Sequence, residues 1–431
     1  MITRIEVDGF KSLRGFSVDL EPLTAIVGPN GVGKSNLFDA LQLLSGLART
    51  DVTAAFGEGR GSRRDQFSRS SHDEAGDTMS LAVELLLVSP PDWNGKWQSR
   101  VRYEIEIEGN TKPSGVEVLS VLREKLTPIA SADDVWMARH ASLAPLASYE
   151  EEGDLLITVE KNESSIERAN RRLLVSYSKN NVHSSLETGA NMSMTALPRV
   201  FLAPLIEVVG ETLRGFRFLR LEPSRLRLPS DRAAPTTLAP DGSNLPTALA
   251  ALPPEIRAQI RADLARLVPS FKSFDVLPIE DEFRIEVELT SGQRLSARVL
   301  SDGTLRLLAL FLLLRSARPG ALIAIEEPEN GIHPGGLRTL IEEIVEITTP
   351  HGALPPQVLL NSHSPALVAA LHHQPDSLVF ADLVRRGDSS QVTRMRHVWR
   401  DGDPRDRGAT TVSMNEVERI LATAQPIDEV A

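Results

Sequence analysis

Eight consecutive residues, Gly28-Pro29-Asn30-Gly31-Val32-Gly33-Lys34-Ser35, constrain this chain more than any other feature, because they fit G-x-x-x-x-G-K-[ST] without a mismatch. Before them, Leu23 to Val27 is a compact apolar run of the kind that fills a buried strand. After them, Leu37, Leu41, Leu44 and Leu47 recur at helical spacing. A glycine-rich turn between strand and helix lets successive backbone N–H groups face one anion, and the helix N-terminus adds a positive dipole end. Lys34 is placed to reach the β- and γ-phosphates of ATP, and the Ser35 hydroxyl to bind Mg²⁺. Asn30, Gly31, Gly33 and Asn36 complete the expected cradle.

Two further runs end apolar strands in polar groups. Ala321-Leu322-Ile323-Ala324-Ile325-Glu326-Glu327-Pro328 finishes in two carboxylates. A carboxylate at the end of a parallel strand faces the crevice where open α/β sheets bind ligands. Glu326 is therefore expected to hold Mg²⁺, directly or through water, and Glu327 to orient or deprotonate the water attacking the γ-phosphate. Taken alone, two solvated acids would explain the same residues, and it is the phosphate loop that favours catalysis. Val358-Leu359-Leu360-Asn361-Ser362-His363-Ser364-Pro365 has the same form, and His363 is placed to sense the γ-phosphate, although a lone histidine also reads as a capping or surface residue.

Leu300-Ser301-Asp302-Gly303-Thr304 opens a helix of apolar residues. Serine or aspartate beside glycine is an ordinary N-cap. The same exposed N–H groups and hydroxyl also grip phosphate. With one phosphate loop already present, a second grip through Ser301 and Gly303 points to ATP shared between two copies.

The remaining composition mainly excludes. There is no cysteine, which removes disulfides, thiolate metal sites and thiol catalysis. The net charge of −11 means that any hold on nucleic acid must come from a local patch. Two arginine groups qualify: Arg60, Arg63, Arg64 and Arg69, then Arg214, Arg217, Arg220, Arg225, Arg227 and Arg232. Their planar forks suit DNA backbone phosphates, while salt bridges with the many acids would account for them equally well. Aromatic residues are only 5%, too few for base stacking to be the main mode. The most apolar stretch, Leu307 to Leu314, is bracketed by Arg306 and Arg315 and falls well short of the about 20 residues a membrane span needs. The start, Met1-Ile2-Thr3-Arg4-Ile5-Glu6, lacks the apolar core of a signal peptide. A soluble, cytoplasmic protein without membrane contact is the expectation.

Strand and helix alternate over residues 1–108, including strand candidates at Ser80–Val88 and Arg100–Glu108. Residues 109–273 are looser and read as an insertion, with one clear helix between Pro253 and Pro269. Regular structure returns over 274–395, beginning with a hairpin of Phe283–Leu289 and Arg294–Leu300 around Ser291-Gly292. Residues 396–431 form a polar tail with a short helix near Met414–Ala422. This is an α/β core with a parallel component, split in sequence by the insertion.

At these motifs the chain resembles the ABC-type ATPase heads of the RecF, SMC and overcoming-lysogenisation-defect proteins, and looks closest to short RecF-like ATPases grouped with the AAA proteins. Gly28–Ser35, Leu300–Thr304, Ile325–Pro334 and Asn361–Pro365 carry the match, supported by Gly9-Phe10-Lys11-Ser12-Leu13 and by the run Leu238–Leu245. The resemblance implies an ABC-type P-loop NTPase head, a mixed sheet with an antiparallel β subdomain, split by an α+β insertion. It implies a head-to-tail homodimer around two ATP molecules, with Glu327 catalytic, His363 the switch, and Ser301 and Gly303 serving the opposite subunit. Glu326 stands where transporter-type heads have Asp, and His333 where they have the Asp of the loop crossing the interface. Gln66 is a guess for the glutamine loop. No long coiled coil interrupts 109–273, and Asp401-Gly402-Asp403, in a polar loop, does not suggest a Toprim nuclease. The expected function is an ATP-hydrolysing switch coupled to DNA or to a separate effector, in DNA repair or anti-phage defence. The alternative is a binding or scaffold module that holds nucleotide without hydrolysing it.

Overall fold

The computed structural model describes residues 1–69, 77–89, 97–149, 157–160, 172–177, 182–187, 204–386, 390–399 and 411–423. The chain starts an antiparallel sheet with β1 (Ile2–Asp8) and β2 (Phe16–Asp19). It leaves for β3 (Leu23–Val27), α1 (Lys34–Leu47) and α2 (Val52–Gly57). It returns through β4 (Thr78–Leu86), β5 (Arg100–Thr111) and β6 (Glu117–Pro128). After α3 (Val135–Arg139), β7 (Ile157–Glu160), β8 (Arg172–Tyr177) and β9 (Val182–Glu187) extend the same sheet, in the order β2-β1-β4-β5-β6-β7-β8-β9. In β5 the period of two is plain: Val101, Tyr103, Ile105 and Ile107 are buried, while Arg102, Glu104 and Glu106 lie half-exposed. The sequence boundary at 108 falls inside this strand, and β6 pairs with it from Val101 to Thr111.

The next stretch mixes contributions to two sheets. α4 (Pro204–Arg214) leads to β10 (Arg217–Leu219), which pairs in parallel with the acidic strand described below. α5 (Pro223–Leu226), β11 (Ser230–Asp231), α6 (Leu245–Ala250) and α7 (Pro254–Leu267) follow. A small antiparallel sheet is completed by β12 (Phe271–Ile279), β13 (Glu282–Leu289) and β14 (Arg294–Ser296). The hairpin around Ser291-Gly292 forms, with Gly292 at φ 82°, but its second strand stops at Ser296. A 3₁₀ turn, Ala297–Val299, replaces the strand expected to reach Leu300.

The remainder alternates helix and strand: α8 (Asp302–Ser316), β15 (Leu322–Glu326), α9 (Pro334–Thr348), β16 (Gln357–Ser362) and α10 (Pro365–Ala370). β17 (Leu378–Arg385), β18 (Gln391–Trp399), β19 (Thr411–Ser413) and α11 (Met414–Thr423) close it. The second sheet runs β10-β15-β16-β3-β17-β18-β19. Its first five strands are parallel and β18 is antiparallel, so the sheet is mixed. Both faces are buried, which explains the continuous apolar runs. Leu322 and Ala324 join the core shared with the antiparallel sheet, α1 and α4, whereas Ile323 and Ile325 join the core under α8 and α9. Among the described residues no helix is long and apolar enough to cross a membrane. Asp401-Gly402-Asp403 lies outside them.

One buried ion pair ties β5 to α3. Arg100 is wholly buried, and donates to Asp134 through Nε (2.5 Å) and Nη2 (3.0 Å) and to Thr3 Oγ1 (2.8 Å). Asp134 also caps α3 through Met137 N and accepts from the Tyr149 hydroxyl (2.9 Å). Truncating the acid leaves the buried guanidinium with only the Thr3 hydroxyl and the Glu84 carboxylate 3.7 Å away. Asp134→Ala is expected to destabilise the fold by about 3–5 kcal/mol in urea unfolding. Arg225→Ala, at a half-exposed pair 3.9 Å from Asp241, should cost less than about 1 kcal/mol.

Candidate active site

The parallel ladder sets the site by register. Glu326 of β15 lies opposite Asn361 of β16, which in turn lies opposite Ile26 of β3. The ends of three neighbouring strands therefore coincide. The loop Gly28–Gly33 continues from β3, Glu327 from β15 and His363 from β16.

In the loop, Gly31 and Gly33 adopt φ 80° and 92°, backbone that L side chains rarely take. A Cβ at Gly33 would stand 2.0 Å from Thr393 Oγ1 and 2.5 Å from Ser12 Oγ, so only glycine fits. Nothing stands within 4 Å of a Cβ built on Gly31, and Asn30 and Gly31 are exposed. Asn36, at the start of α1, donates to Ser12 Oγ (2.7 Å), whose hydroxyl meets Thr393 Oγ1 at 2.5 Å. The segment Gly9–Leu13 is thereby packed on the loop.

Lys34 is buried and donates to the carbonyls of Gly28 (2.6 Å) and Pro29 (2.7 Å). Burial pushes its ammonium down to about 8, against the opposing pull of Glu327 and Glu329. Ser35 Oγ accepts from Asn361 Nδ2 at 3.2 Å, which links the loop to β16.

Glu327 takes a left-handed backbone, φ 50°, uncommon and costly for a residue with a Cβ. Its N–H donates to Asn361 O (2.8 Å), and its Oε2 accepts from Asn330 Nδ2 (2.6 Å). His363 Nδ1 lies 3.7 Å from Glu327 Oε1. Glu329 accepts from the Ser362 hydroxyl, while its other oxygen is buried without a hydrogen-bond partner. Asn361, Asn330 and Glu329 are the residues that motif reading passed over here; their signal was position, each within two or three residues of a chosen one.

The arginine groups converge inward. Asp39, buried on α1, pairs with Lys11 (2.7 Å), Arg60 (2.9 Å) and Arg220 (3.1 Å). Arg60 and Arg220 also reach Glu326 Oε1, at 3.0 and 3.4 Å. Three cations thus face two carboxylates beside the phosphate loop. Elsewhere Arg64 pairs with Asp77, Arg69 with Asp65 and Arg227 with Asp302, while Arg214 and Arg217 donate to backbone carbonyls. Most of the two groups are thus engaged by carboxylates or carbonyls of the same chain.

Ser301 is exposed and caps α8, accepting from Thr304 N at 3.2 Å. Gly303 packs against the loop after β15, where a Cβ would come 2.1 Å from Gly331 O. His333 caps α9 by accepting from Gly335 N at 3.2 Å. Gln66 is buried and its amide donates to Phe56 O (2.7 Å), an internal role that leaves the glutamine-loop guess without support.

The donors present fit ATP with Mg²⁺. The positive-φ glycines and Lys34 suit phosphate. Among the described residues no three acidic or histidine side chains cluster to hold a metal ion. Ser35 and Glu326 would supply one hydroxyl and one carboxylate to such an ion, and Mg²⁺ usually takes its remaining ligands from phosphate oxygens and water.

Comparison with known proteins agrees with this reading of the fold. Residues 148–369 match the family model described as "AAA domain, putative AbiEii toxin, Type IV TA system", and residues 1–110 match an AAA ATPase domain. The chain is 40% identical over 80 residues to Structural maintenance of chromosomes protein 1 of Schizosaccharomyces pombe, covering 16% of this chain and 6% of that protein. It is 46% identical over 46 residues to an OLD nuclease of Thermus scotoductus, covering 11% and 9% respectively. The chain thus matches only a small part of the length of these curated relatives. In fold it is similar to the SMC head crystallised with the C-winged helix domain of ScpA, at a TM-score of 0.51 and 14% identity, covering 92% of this chain and 98% of that one.

A bound triphosphate favours the charged form of Lys34, whose pKa here is about 8. ATP affinity should therefore be full below that pH and fall as pH rises through it, several-fold between about pH 7 and about pH 9. Titration of a fluorescent ATP analogue across this range checks it; a flat profile would contradict the buried, loop-bound ammonium.

Proposed function

The chain belongs to the AAA-domain family and has the fold of an ABC-type ATPase head, and on that premise we propose that it is a Mg²⁺-dependent ATPase whose two copies close head-to-tail around ATP. The observation that carries the reading is the register of β15, β16 and β3, which gathers Lys34, Ser35, Glu326, Glu327 and His363 at three adjacent strand ends. Lys34 and the loop N–H groups hold the phosphates, and Ser35 and Glu326 hold Mg²⁺, which when bound neutralises phosphate charge. Glu327 takes the proton of the attacking water, and its Asn330 and backbone contacts fix where the carboxylate points. His363, beside Glu327, contacts the γ-phosphate and registers its loss.

Ser301 supports the shared site. It crowns a 15-residue helix whose first turn is open to solvent at Ser301 and Asp302, so its dipole end is available to a second copy's ATP. Most of the arginines are held by carboxylates or carbonyls of the same chain, which favours a protein effector over DNA as the reader of closure. The segment 109–273 is its proposed contact region. A role in repair or in anti-phage defence follows from family analogy alone.

Glu327→Gln should bind ATP, accumulate as a dimer in light scattering, and lose about 10²–10⁴-fold in turnover. Wild type without turnover in Mg²⁺-ATP would favour the non-hydrolysing scaffold instead. Ser301→Arg should keep ATP affinity yet stay monomeric; normal hydrolysis by that variant would contradict the shared site.

A further inference from the structure

The turn that presents Ser301 is held from outside by one side chain. Arg227, at the C-terminal end of α5, donates through Nη1 to the carbonyls of Ala297 (3.5 Å), Arg298 (2.9 Å) and Leu300 (2.6 Å). Its Nη2 pairs with the Asp302 carboxylate. Three of these acceptors lie in or next to the 3₁₀ turn Ala297–Val299, a single turn whose own hydrogen bonding is poor. Nη1 serves these carbonyls while Nη2 of the same planar fork holds the Asp302 carboxylate, so one side chain ties the turn and the helix start together, a two-nitrogen reach that a single ammonium lacks.

Asp302 poses a second problem that the same contact answers. It is exposed and adjacent to Ser301. A bare carboxylate there favours the helix dipole but repels a triphosphate. Paired with Arg227, it is neutralised without losing the dipole benefit.

Arg227 is itself placed by the run Leu238–Leu245. Arg220 N donates to Pro240 O (3.0 Å) and Glu222 N to Asp241 O (3.1 Å). Asn244 accepts from Ala239 N (2.7 Å) and donates to the carbonyls of Pro235 (2.6 Å) and Thr237 (2.8 Å), which fixes the run's shape. Gly242, at φ 80°, sits so close to Leu226 that a Cβ would come 2.3 Å from its Cδ2. Leu226 is fully buried and precedes Arg227. This motif, otherwise without a task, is the platform under the arginine.

We propose that Arg227 is a positioning residue for Ser301: it fixes the turn before α8 and cancels the Asp302 charge, so that a second copy's ATP meets a preformed phosphate grip. The inference rests on the shared-site reading and adds the residue that makes the grip competent. A merely structural arginine would alter stability alone, whereas this one governs association and leaves nucleotide binding within one copy intact.

The test places Arg227→Ala in the Glu327→Gln background and measures two quantities with Mg²⁺-ATP. Affinity for a fluorescent ATP analogue should stay within about two-fold of the parent, while the protein concentration needed for the dimer rises about tenfold or more. Arg227→Lys, which restores charge but not the fork, should recover part of the loss. Dimerisation at the parent's concentrations overturns the proposal. If the Glu327→Gln parent itself stays monomeric, the shared-site reading falls and this inference with it. Should the alanine variant fail to melt cooperatively, Arg227→Gln, which keeps most of the stem, is measured against the same two results.

Discussion

The ladder that joins β15, β16 and β3 in parallel is the constraint on which the rest of the molecule depends. Parallel pairing sends all three strands in one direction, and the register stops them at one level, Glu326 against Asn361 against Ile26. A slip of one residue would exchange the two buried faces, moving Ile323 and Ile325 out of the core under α8 and α9. Burial on both faces therefore fixes the register, and the register places the phosphate loop, the paired acids and the histidine together. Hydrophobic packing far from the chemistry sets the geometry of the chemistry.

Around that level the charges form one connected arrangement. Asp39 reaches from α1 to hold Lys11, Arg60 and Arg220, and the two arginines continue to Glu326. The three cations outnumber the two carboxylates they meet, which suits a polyanion. Arg220 and Arg227 belong to one short strap after β10, the first reaching the acids and the second the turn before Ser301. Gly303 meanwhile lies against Gly331 in the loop after Glu327. The acidic strand end and the serine turn of a single copy are thus mechanically adjacent.

Much of the fold was legible because burial writes itself into sequence as periodicity. Leu23–Val27 appears with the bounds its apolar run suggested, and the alternation of Val101, Tyr103, Ile105 and Ile107 marked β5. β10 was not legible: three residues carry no period, and its place beside β15 is decided by a partner more than a hundred positions away. β6 was missed because its alternation is broken: Val118 and Leu122 are half-exposed while Glu124 is buried, and its register against β5 shifts between Glu106 and Ile107. In the candidate site, motif spacing named the residues of the strand ends. The convergence of Arg60 and Arg220 on Asp39 and Glu326 had no local signal, since these ion pairs span from 21 to 266 positions, beyond any helical or strand period. The same holds for Arg227 and its hold on residues 297–302.

The central claim is that each ATP is gripped by the phosphate loop of one copy and completed by the Ser301 turn of another. A crystal structure grown with Mg²⁺ and a non-hydrolysable ATP analogue tests it most directly. The account predicts two chains related by a two-fold axis, with Ser301 of each within hydrogen-bonding distance of the γ-phosphate bound at Lys34 of its partner. A single chain holding the analogue, with Ser301 turned to solvent, would contradict it.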